Sequence, residues 1–232
     1  MSNSRRVFIV GGANPPFIGK GHPDFIWKRH PDFGKRENLT LREHLSEALD
    51  GLLEVVGMDN FDLVDKAYIG NFVGELFISQ GHLGAALAGS HSSLEGKPSM
   101  RVEGACASGG LAALCAWDAI GAGADVALVT GAEIQTTASA RVGGDYLARA
   151  ADYERQRGID DFTFPALFAR RTKHYTEAFD CSMEDIGLAA VKAYANANKN
   201  PLAHMQSRKI GIEVAGAASE KNPNFLANEE FS

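Results

Sequence analysis

The stretch SMRVEGACASGGLAALCAWDAIGAGADVALVTGAE, residues 99–133, decides the fold class of this chain. Its opening SMRVEGA predicts a strand, and CASGGLAALCAWDAIGAG after it is apolar nearly all round, which predicts a buried helix. The segment ADVALVTGAE that follows predicts a second strand. This alternation of strands and helices favours an α/β layered fold with a largely parallel sheet.

The residues before this stretch continue the alternation. RVFIVGG, residues 6–12, predicts a buried strand. TLREHLSEALDGLLEVVG, residues 40–57, predicts an amphipathic helix, since Thr40 and Glu43 match a capping box and Gly57 supplies the stop. Two shorter elements are predicted downstream of it, a strand in DKAYIGNF (65–72) and a helix of small residues in QGHLGAALAG (80–89).

Residues 14–38 break the alternation. They are rich in proline, glycine and aromatic residues and show no helical period. The tetrapeptide HPDF occurs twice, at 22–25 and 30–33, which is too little to indicate a repeat protein. We therefore predict a long, ordered surface loop with aromatic anchors.

The pattern changes again after Glu133, where the chain becomes polar, charged and glycine-containing. We predict two domains, a compact α/β core over residues 1–133 and an excursion of loops and helices over residues 134–232 that is incomplete at its C-terminal end. Two helices are predicted in the second domain, around 165–179 and 183–198, the latter with Ser182 and Asp185 matching a capping box.

Composition excludes several classes of protein. The 232 residues carry a net charge of −6 with no Lys/Arg run, which argues against nucleic-acid binding. No segment approaches the roughly 18 apolar residues of a membrane span, and the start does not resemble a signal peptide. The three cysteines, Cys106, Cys115 and Cys181, have no framework spacing and predict free thiols in a reducing compartment. We expect a cytoplasmic protein that binds no metal.

Cys106 is the candidate nucleophile because the predicted strand delivers it to the start of a helix. Backbone N–H groups there have no partner within the helix, and the helix dipole favours negative charge. Both effects stabilise a thiolate, and the same N–H groups can bind an oxyanion. Gly104, Gly109 and Gly110 leave the approach clear. Spacing alone leaves a second interpretation open, in which Cys106 is a small buried hydrophobe at a tight junction.

VEGACASGGLAAL (102–114), followed by LVTGAEIQTT (128–137), resembles the nucleophile segment of the thiolase family. The similarity is greatest to the branch with the sterol-carrier-protein-linked and archaeal acetyl-CoA acetyltransferases. Two more stretches resemble that branch, VFIVGGANPPFIGKG (7–21) and FPALFARRTKHYTEAFDCSMEDIGLAAVKAYANANKNPLAHMQ (164–206).

The resemblance implies a thiolase-like layered fold and an acyl-CoA acyltransferase. Cys106 would hold the acyl group as a thioester, and its backbone N–H would contribute to the oxyanion hole. Coenzyme A thioesters would be the substrates, with no resident cofactor. Residues after Glu133 would form the loop domain that covers the site and contacts CoA. A homodimer or higher oligomer is expected.

The family also uses a histidine in a GHP-type motif and a second cysteine in a CxG motif, both in a second α/β half absent from this chain. The Gly21–His22–Pro23 triplet lies before the first helix and is the wrong place for that base. We therefore expect negligible turnover by the chain alone. Three possibilities stay open: a piece of a longer thiolase, a half-length subunit completed by a second chain, or a non-catalytic protein that binds a partner or CoA.

Four further residues are candidates for substrate binding. His82 begins the helix that precedes the nucleophile strand, where the resemblance implies a substrate pocket or dimer interface. Arg170, Arg171 and Lys173, with His174 beside them, form a basic cluster suited to the phosphates of CoA. The alternatives are structural packing for His82 and a solvated helix face for the cluster. Acyl chain length and reaction direction are not predicted.

Overall fold

The computed structural model describes residues 5–216, which divide into two compact units. The first contains the chain up to Pro15 and Pro23–Ala138, and the second contains Pro16–His22 and the chain from Ser139 onward. The sequence placed this division near residue 133 and did not assign Pro16–His22 to the second unit. The final residues of the predicted second domain, 217–232, lie outside the described range.

The capping boxes that the sequence predicted are confirmed. Helix α1 (Leu41–Val56) begins where Thr40 Oγ1 accepts the Glu43 N–H, and the Glu43 carboxylate accepts the Thr40 N–H in return. It ends at Gly57, whose φ of +66° is the left-handed value expected of a C-terminal glycine. The leucines on its inner face, Leu41, Leu45, Leu49 and Leu53, are all buried.

Three parallel strands form the sheet, in the order β2–β1–β3. They are β1 (Lys66–Gly70), β2 (Ser99–Val102) and β3 (Ala127–Gly131). The α/β class and the parallel sheet are thereby confirmed. Two short helices, α2 (Gly74–Phe77) and α3 (Leu83–Ala88), connect β1 to β2, and α4 (Ser108–Gly121) connects β2 to β3.

Each face of the sheet carries its own apolar cluster, because successive strand residues point to opposite faces. Ile69 on one face packs with leucines of α1 and α3. Tyr68 on the other face packs with Ala112, Ala116 and Ala119 of α4. The unit is therefore a helix–sheet–helix arrangement, and the turn that leads into α4 lies at the carboxyl end of β2.

The predicted strand RVFIVGG does not form. Residues 6–12 have no regular structure, and Phe8, Ile9 and Val10 are 72%, 96% and 83% exposed. Among the described residues, the backbone of this segment makes no hydrogen bond to either edge strand of the sheet, β2 or β3. A β-prone segment without a pairing partner does not become a strand.

The predicted burial of the helix after Cys106 is only half right. Ser108, Ala112, Ala116 and Ala119 of α4 are buried against the sheet. On the other side Leu111, Leu114 and Trp117 are 37%, 54% and 58% exposed. The helix is apolar all round, but within residues 5–216 only one of its faces is covered.

The predicted loop over residues 14–38 has no helix or strand, and the structure explains its repeated tetrapeptide. His30, in the second HPDF, accepts the Asp32 N–H at Nδ1 (3.1 Å), and its Nε2 contacts the Pro23 carbonyl of the first HPDF at 3.0 Å. Of the two phenylalanines, Phe25 is buried and Phe33 is exposed. The pair therefore links two turns of the loop.

The second unit is helical in its described part. Both predicted helices are present, α7 (Thr163–Ala178) and α8 (Met183–Ala197), and Ser182 and Asp185 form the predicted capping box. The sequence missed α5 (Ala140–Leu147), which contains two glycines that weaken the helical pattern. The shorter α6 (Tyr153–Gln156) and α9 (Ile212–Ala215) complete the α-helices of the described residues, and 3₁₀ turns at Ala148–Ala150 and Arg157–Ile159 lie beside α5 and α6.

Asp145 joins the helices at the start of the second unit. Its carboxylate accepts hydrogen bonds from the Arg149 and Arg157 guanidiniums and from the Tyr153 hydroxyl. These donors, with Arg157 foremost, lower the pKa of Asp145 from 3.8 to about 2. A lowered folded-state pKa means that this carboxylate stabilises the unit above about pH 4 and that the contribution is lost as pH falls towards 2.

We therefore expect Asp145→Asn to lower the thermal midpoint of the chain by a few degrees at pH 6 and to flatten its loss of stability between about pH 4 and 2. Asp161→Asn is the control, since Asp161 makes a more exposed ion pair with Arg141. Thermal denaturation over this pH range measures both. Equal behaviour of the two variants would contradict the role assigned to Asp145.

Candidate active site

Cys106 lies in a single 3₁₀ turn, Ala105–Ala107, between β2 and α4. The sequence predicted it as the start of the helix itself, but α4 begins two residues later, at Ser108. The thiol is exposed, so the interpretation of Cys106 as a buried core residue is wrong. Cys115 is half-buried in the middle of α4.

The residue before the cysteine has an unusual backbone. Ala105 has a φ of +49°, in the left-handed region that residues with a side chain rarely adopt. Within residues 5–216, the Cys106 backbone N–H has no hydrogen-bond acceptor. An exposed thiol beside an N–H that lacks an acceptor there is suited to nucleophilic attack on a carbonyl, because such an N–H can stabilise the oxygen that becomes negative.

Two side chains fix the backbone of this turn. The Ser108 hydroxyl donates to the Ala105 carbonyl at 2.7 Å and accepts the Gly104 N–H at 3.1 Å. The Glu103 carboxylate accepts the Ala105 N–H at 2.6 Å. Sequence analysis missed both roles, although a serine two residues after a candidate nucleophile and a carboxylate three residues before it were visible signals.

The carboxyl ends of β1 and β3 are joined by a buried amide. Asn71, which is 2% exposed, donates from Nδ2 to the Ala132 carbonyl at 2.8 Å and accepts the Gly74 N–H at Oδ1 (3.0 Å). The Glu133 carboxylate accepts the N–H groups of Phe72 (2.8 Å) and Val73 (3.4 Å). Glu133 thus fixes loop geometry rather than standing free as an acid.

Arg101 fixes the same loop from β2. Its guanidinium donates to the carbonyls of Asn71 and Phe72 and forms an ion pair with Glu75, whose pKa it lowers. The loop after β1 is therefore held by polar side chains from both neighbouring strands. Neither Asn71 nor Arg101 was predicted as a site residue, although Asn71 lies near the end of the strand predicted over residues 65–72.

Close packing sets the position of the Cys106 turn against the sheet. A Cβ atom at Gly70, the last residue of β1, would lie 2.8 Å from backbone atoms of both Ser108 and Gly109. Only hydrogen fits there, so the first turn of α4 lies directly on the end of β1. This contact brings the turn to the carboxyl edge of the sheet, where ligands bind in open α/β sheets.

His82, a predicted substrate-binding residue, is the exposed N-cap residue of α3, with a φ of +50° and no side-chain capping bond. It belongs to the same unit as Cys106. No hydrogen bond among the described residues joins the two side chains. Its role in a pocket or interface stays a prediction.

The predicted basic cluster lies on α7, in the second unit. Lys173 is 3.8 Å from the Glu177 carboxylate, which partly balances its charge. The Arg171 guanidinium lies over the Phe168 ring at 5.4 Å, and Arg170 is exposed. A role in binding phosphates stays a prediction for all three cations.

The described residues also bear on two other classes of protein, metal-binding and membrane-spanning. No group of three or more histidine, cysteine, aspartate or glutamate side chains there is arranged to hold a metal ion. None of the helices between residues 5 and 216 has both the length and the apolar composition of a membrane span.

Comparisons with known proteins show the family of this chain. Residues 30–231 match the family described as "Thiolase, N-terminal domain". An "Acetyl-CoA acetyltransferase" of Methanothermobacter thermautotrophicus is 31% identical over 191 residues, which are 82% of this chain and 49% of the relative. An "Acetyl-CoA acetyltransferase" of Methanocaldococcus jannaschii is 34% identical over 185 residues, covering 79% and 46%. This chain spans about half the length of both curated relatives. Because the family match covers most of its residues, the chain belongs to the thiolase family, through that family's N-terminal domain.

Proposed function

We propose that this chain carries the acyl-accepting part of a thiolase-type acyltransferase site, with Cys106 as the nucleophile. The observation that carries the proposal is the exposed Cys106 beside its own backbone N–H, for which residues 5–216 supply no hydrogen-bond acceptor. Family membership and two relatives named acetyl-CoA acetyltransferase support the same reaction class. The resulting function is acyl transfer between CoA thioesters, as in acetyl-CoA acetyltransferases and 3-ketoacyl-CoA thiolases.

The chemistry runs through a covalent intermediate. The Cys106 sulfur, as thiolate, attacks the thioester carbonyl carbon, and the carbonyl oxygen becomes negative while the Cys106 N–H binds it. The C–S bond to CoA then breaks, CoA leaves as a thiolate that takes up a proton, and the acyl group stays on Cys106. A second acyl-CoA then gives up an α-proton to a base of the second α/β half, and its α-carbanion attacks the carbonyl carbon of the Cys106 thioester. The C–S bond to Cys106 breaks, Cys106 leaves as a thiolate, and a 3-ketoacyl-CoA is formed. In the reverse direction, free CoA takes up the acyl group.

We assign substrate binding to residues whose side chains match the chemical groups of CoA. Arg170, Arg171 and Lys173 are exposed or half-buried cations on one helix, and phosphate groups such as those of CoA are the ligands that arginine and lysine bind well. His82 is assigned to the substrate pocket or to a dimer interface. The thiolase-like layered arrangement and the loop domain over residues 134–232 belong to the same proposal.

A complete thiolase-type site needs catalytic groups beyond Cys106. The acid/base histidine and the second cysteine of the family are assigned to a second α/β half, in the same polypeptide or in a separate chain. The uncovered apolar face of α4, Leu111, Leu114 and Trp117, favours packing against further protein. That face also supports the second candidate, a non-catalytic thiolase-like protein that binds a partner chain. We expect the 232-residue chain to accept an acyl group but to turn over negligibly.

Thiol alkylation protected by substrate tests the proposal. We expect iodoacetamide to label Cys106 at least tenfold faster than Cys115, because Cys106 is exposed in the turn before α4 whereas Cys115 is half-buried within that helix. Pre-incubation with acetyl-CoA should block labelling of Cys106 alone, and hydroxylamine, which cleaves thioesters, should restore it. Peptide mass spectrometry follows each cysteine, with Cys181 as an internal reference. Equal labelling rates, or no protection by acetyl-CoA, would count against an acyl-accepting Cys106.

A further inference from the structure

The turn that presents Cys106 depends on one residue in an unfavourable conformation. Ala105 immediately precedes the cysteine, and its φ of +49° is unfavourable for a residue with a Cβ atom. Such conformations persist only where surrounding groups enforce them, and they are most frequent at functional sites. The question is which contacts enforce this one.

Hydrogen bonds hold the peptide groups on both sides of Ala105. Its carbonyl accepts the Ser108 hydroxyl at 2.7 Å and also the Ser108 backbone N–H. Its N–H donates to the Glu103 carboxylate at 2.6 Å. Ser108 additionally accepts the Gly104 N–H at 3.1 Å, so one hydroxyl holds the backbone on both sides of Ala105. Ser108 is 5% exposed, whereas Glu103 is exposed, so water competes with the glutamate and hardly with the serine.

We propose that Ser108 is a positioning residue whose hydroxyl keeps Ala105 in the left-handed conformation and thereby sets the direction of the Cys106 thiol and N–H. This inference rests on the proposed function. The hydroxyl acts as donor and acceptor at once, which alanine cannot replace. Without it, Ala105 relaxes to a negative φ, and the peptide group that carries the Cys106 N–H rotates with it.

Suppression by glycine distinguishes positioning from a general contribution to stability. Glycine adopts positive φ about as readily as negative φ. If Ser108 acts by holding Ala105, then Ala105→Gly removes much of the need for the hydroxyl. If Ser108 contributes only to the stability of α4, the identity of residue 105 has no influence on the effect of Ser108→Ala.

The experiment compares Ser108→Ala, Ala105→Gly, the double variant and Ser90→Ala, all in the 232-residue chain. Ser90 is the matched control, because it is also buried, lies in the same unit, and donates its hydroxyl to the Ala86 carbonyl at 2.7 Å. The measurements are the rate of acetyl transfer from acetyl-CoA to Cys106 and the urea midpoint. The midpoint identifies any variant that does not fold.

We expect Ser108→Ala to slow acetylation about tenfold or more, since small displacements of reacting atoms have large effects on rate. The double variant should recover most of that loss, and Ser90→Ala should lower the urea midpoint while leaving the rate within about twofold. An unchanged rate in Ser108→Ala, or a loss that Ala105→Gly does not relieve, would overturn the inference. If the parent chain takes up no acetyl group, the proposed function fails, and the positioning role is tested by the rate at which iodoacetamide labels Cys106 in the same variants. An unchanged labelling rate in Ser108→Ala, or a loss that Ala105→Gly does not relieve, would overturn that role as well.

Discussion

Cys106→Ala is expected to abolish covalent transfer of an acetyl group from acetyl-CoA to this chain. Cys106 is exposed and its backbone N–H has no acceptor in the part of the chain that the structure describes, while Cys115 and Cys181 are half-buried. A methyl group cannot form the thioester, so the intact mass of the variant should show no gain of an acetyl group. Folding should be little affected, because truncating an exposed side chain removes few contacts.

Two control variants test whether loss of the acetyl group is specific to the Cys106 thiol. Cys106→Ser retains the size of the side chain, but a hydroxyl is a much weaker nucleophile than a thiolate at neutral pH, so we expect it to be as inactive as alanine. Cys115→Ala, on the same helix, should still acquire the acetyl group, even though its partial burial makes some loss of stability expected. An acetyl adduct that survives in Cys106→Ala would place the nucleophile elsewhere.

Sequence predicted the location of this cysteine but not its geometry. The junction of β2 and the following helix was readable from local patterns. The left-handed Ala105 was not, because alanine carries no signal for positive φ and the contacts that enforce it come from Glu103 and Ser108. The start of α4 at Ser108, two residues after Cys106, was not readable either, because its N-cap residue Ala107 makes no side-chain capping bond.

The contacts of the polar residues at the strand ends could not be predicted from local sequence patterns, for a different reason. Asn71 and Arg101 adjoin or lie among ordinary strand residues, and nothing near them in sequence indicates a partner. For Glu133, just after β3, the sequence favours a role in loop geometry but does not indicate which N–H groups it binds. The three residues meet because β1 lies between β2 and β3 in a parallel sheet, which brings the ends of all three strands to one edge. Strand order is a property of the whole unit, and the alternating pattern predicted the class of sheet without predicting that order.

Burial was the least predictable property. The capping box of α1 was readable because its residues are three apart and bond to each other's backbone. In contrast, Phe8 and Trp117 both lie in apolar segments that predicted burial, and both are more than half exposed. An apolar segment shows that a residue is suited to a core, but what covers it depends on other parts of the assembly.

Gly70→Ala is expected to damage both the fold and the site, because the first turn of α4 rests on this residue. The new Cβ would lie 2.8 Å from the Ser108 carbonyl carbon and oxygen and 2.8 Å from the Gly109 nitrogen. These are backbone atoms and cannot rotate away, so either β1 or the start of α4 must shift. Overpacking of this kind costs about 1–3 kcal/mol. Since Ser108 also fixes the Cys106 turn, the displacement should reach the nucleophile.

Gly131→Ala is the matched control, because Gly131 is the residue paired with Gly70 at the end of β3. A Cβ there would find its nearest neighbour, the Gly70 carbonyl oxygen, at an ordinary contact distance of 3.7 Å. Both variants replace a strand-end glycine with alanine, so the shared loss of chain flexibility cancels in the comparison. We expect Gly70→Ala to lower the urea midpoint and to slow acetylation of Cys106 at least tenfold, with Gly131→Ala close to the parent chain in both. If the two variants behave alike, then α4 is free to move away from β1, and the orientation of Cys106 does not depend on that contact.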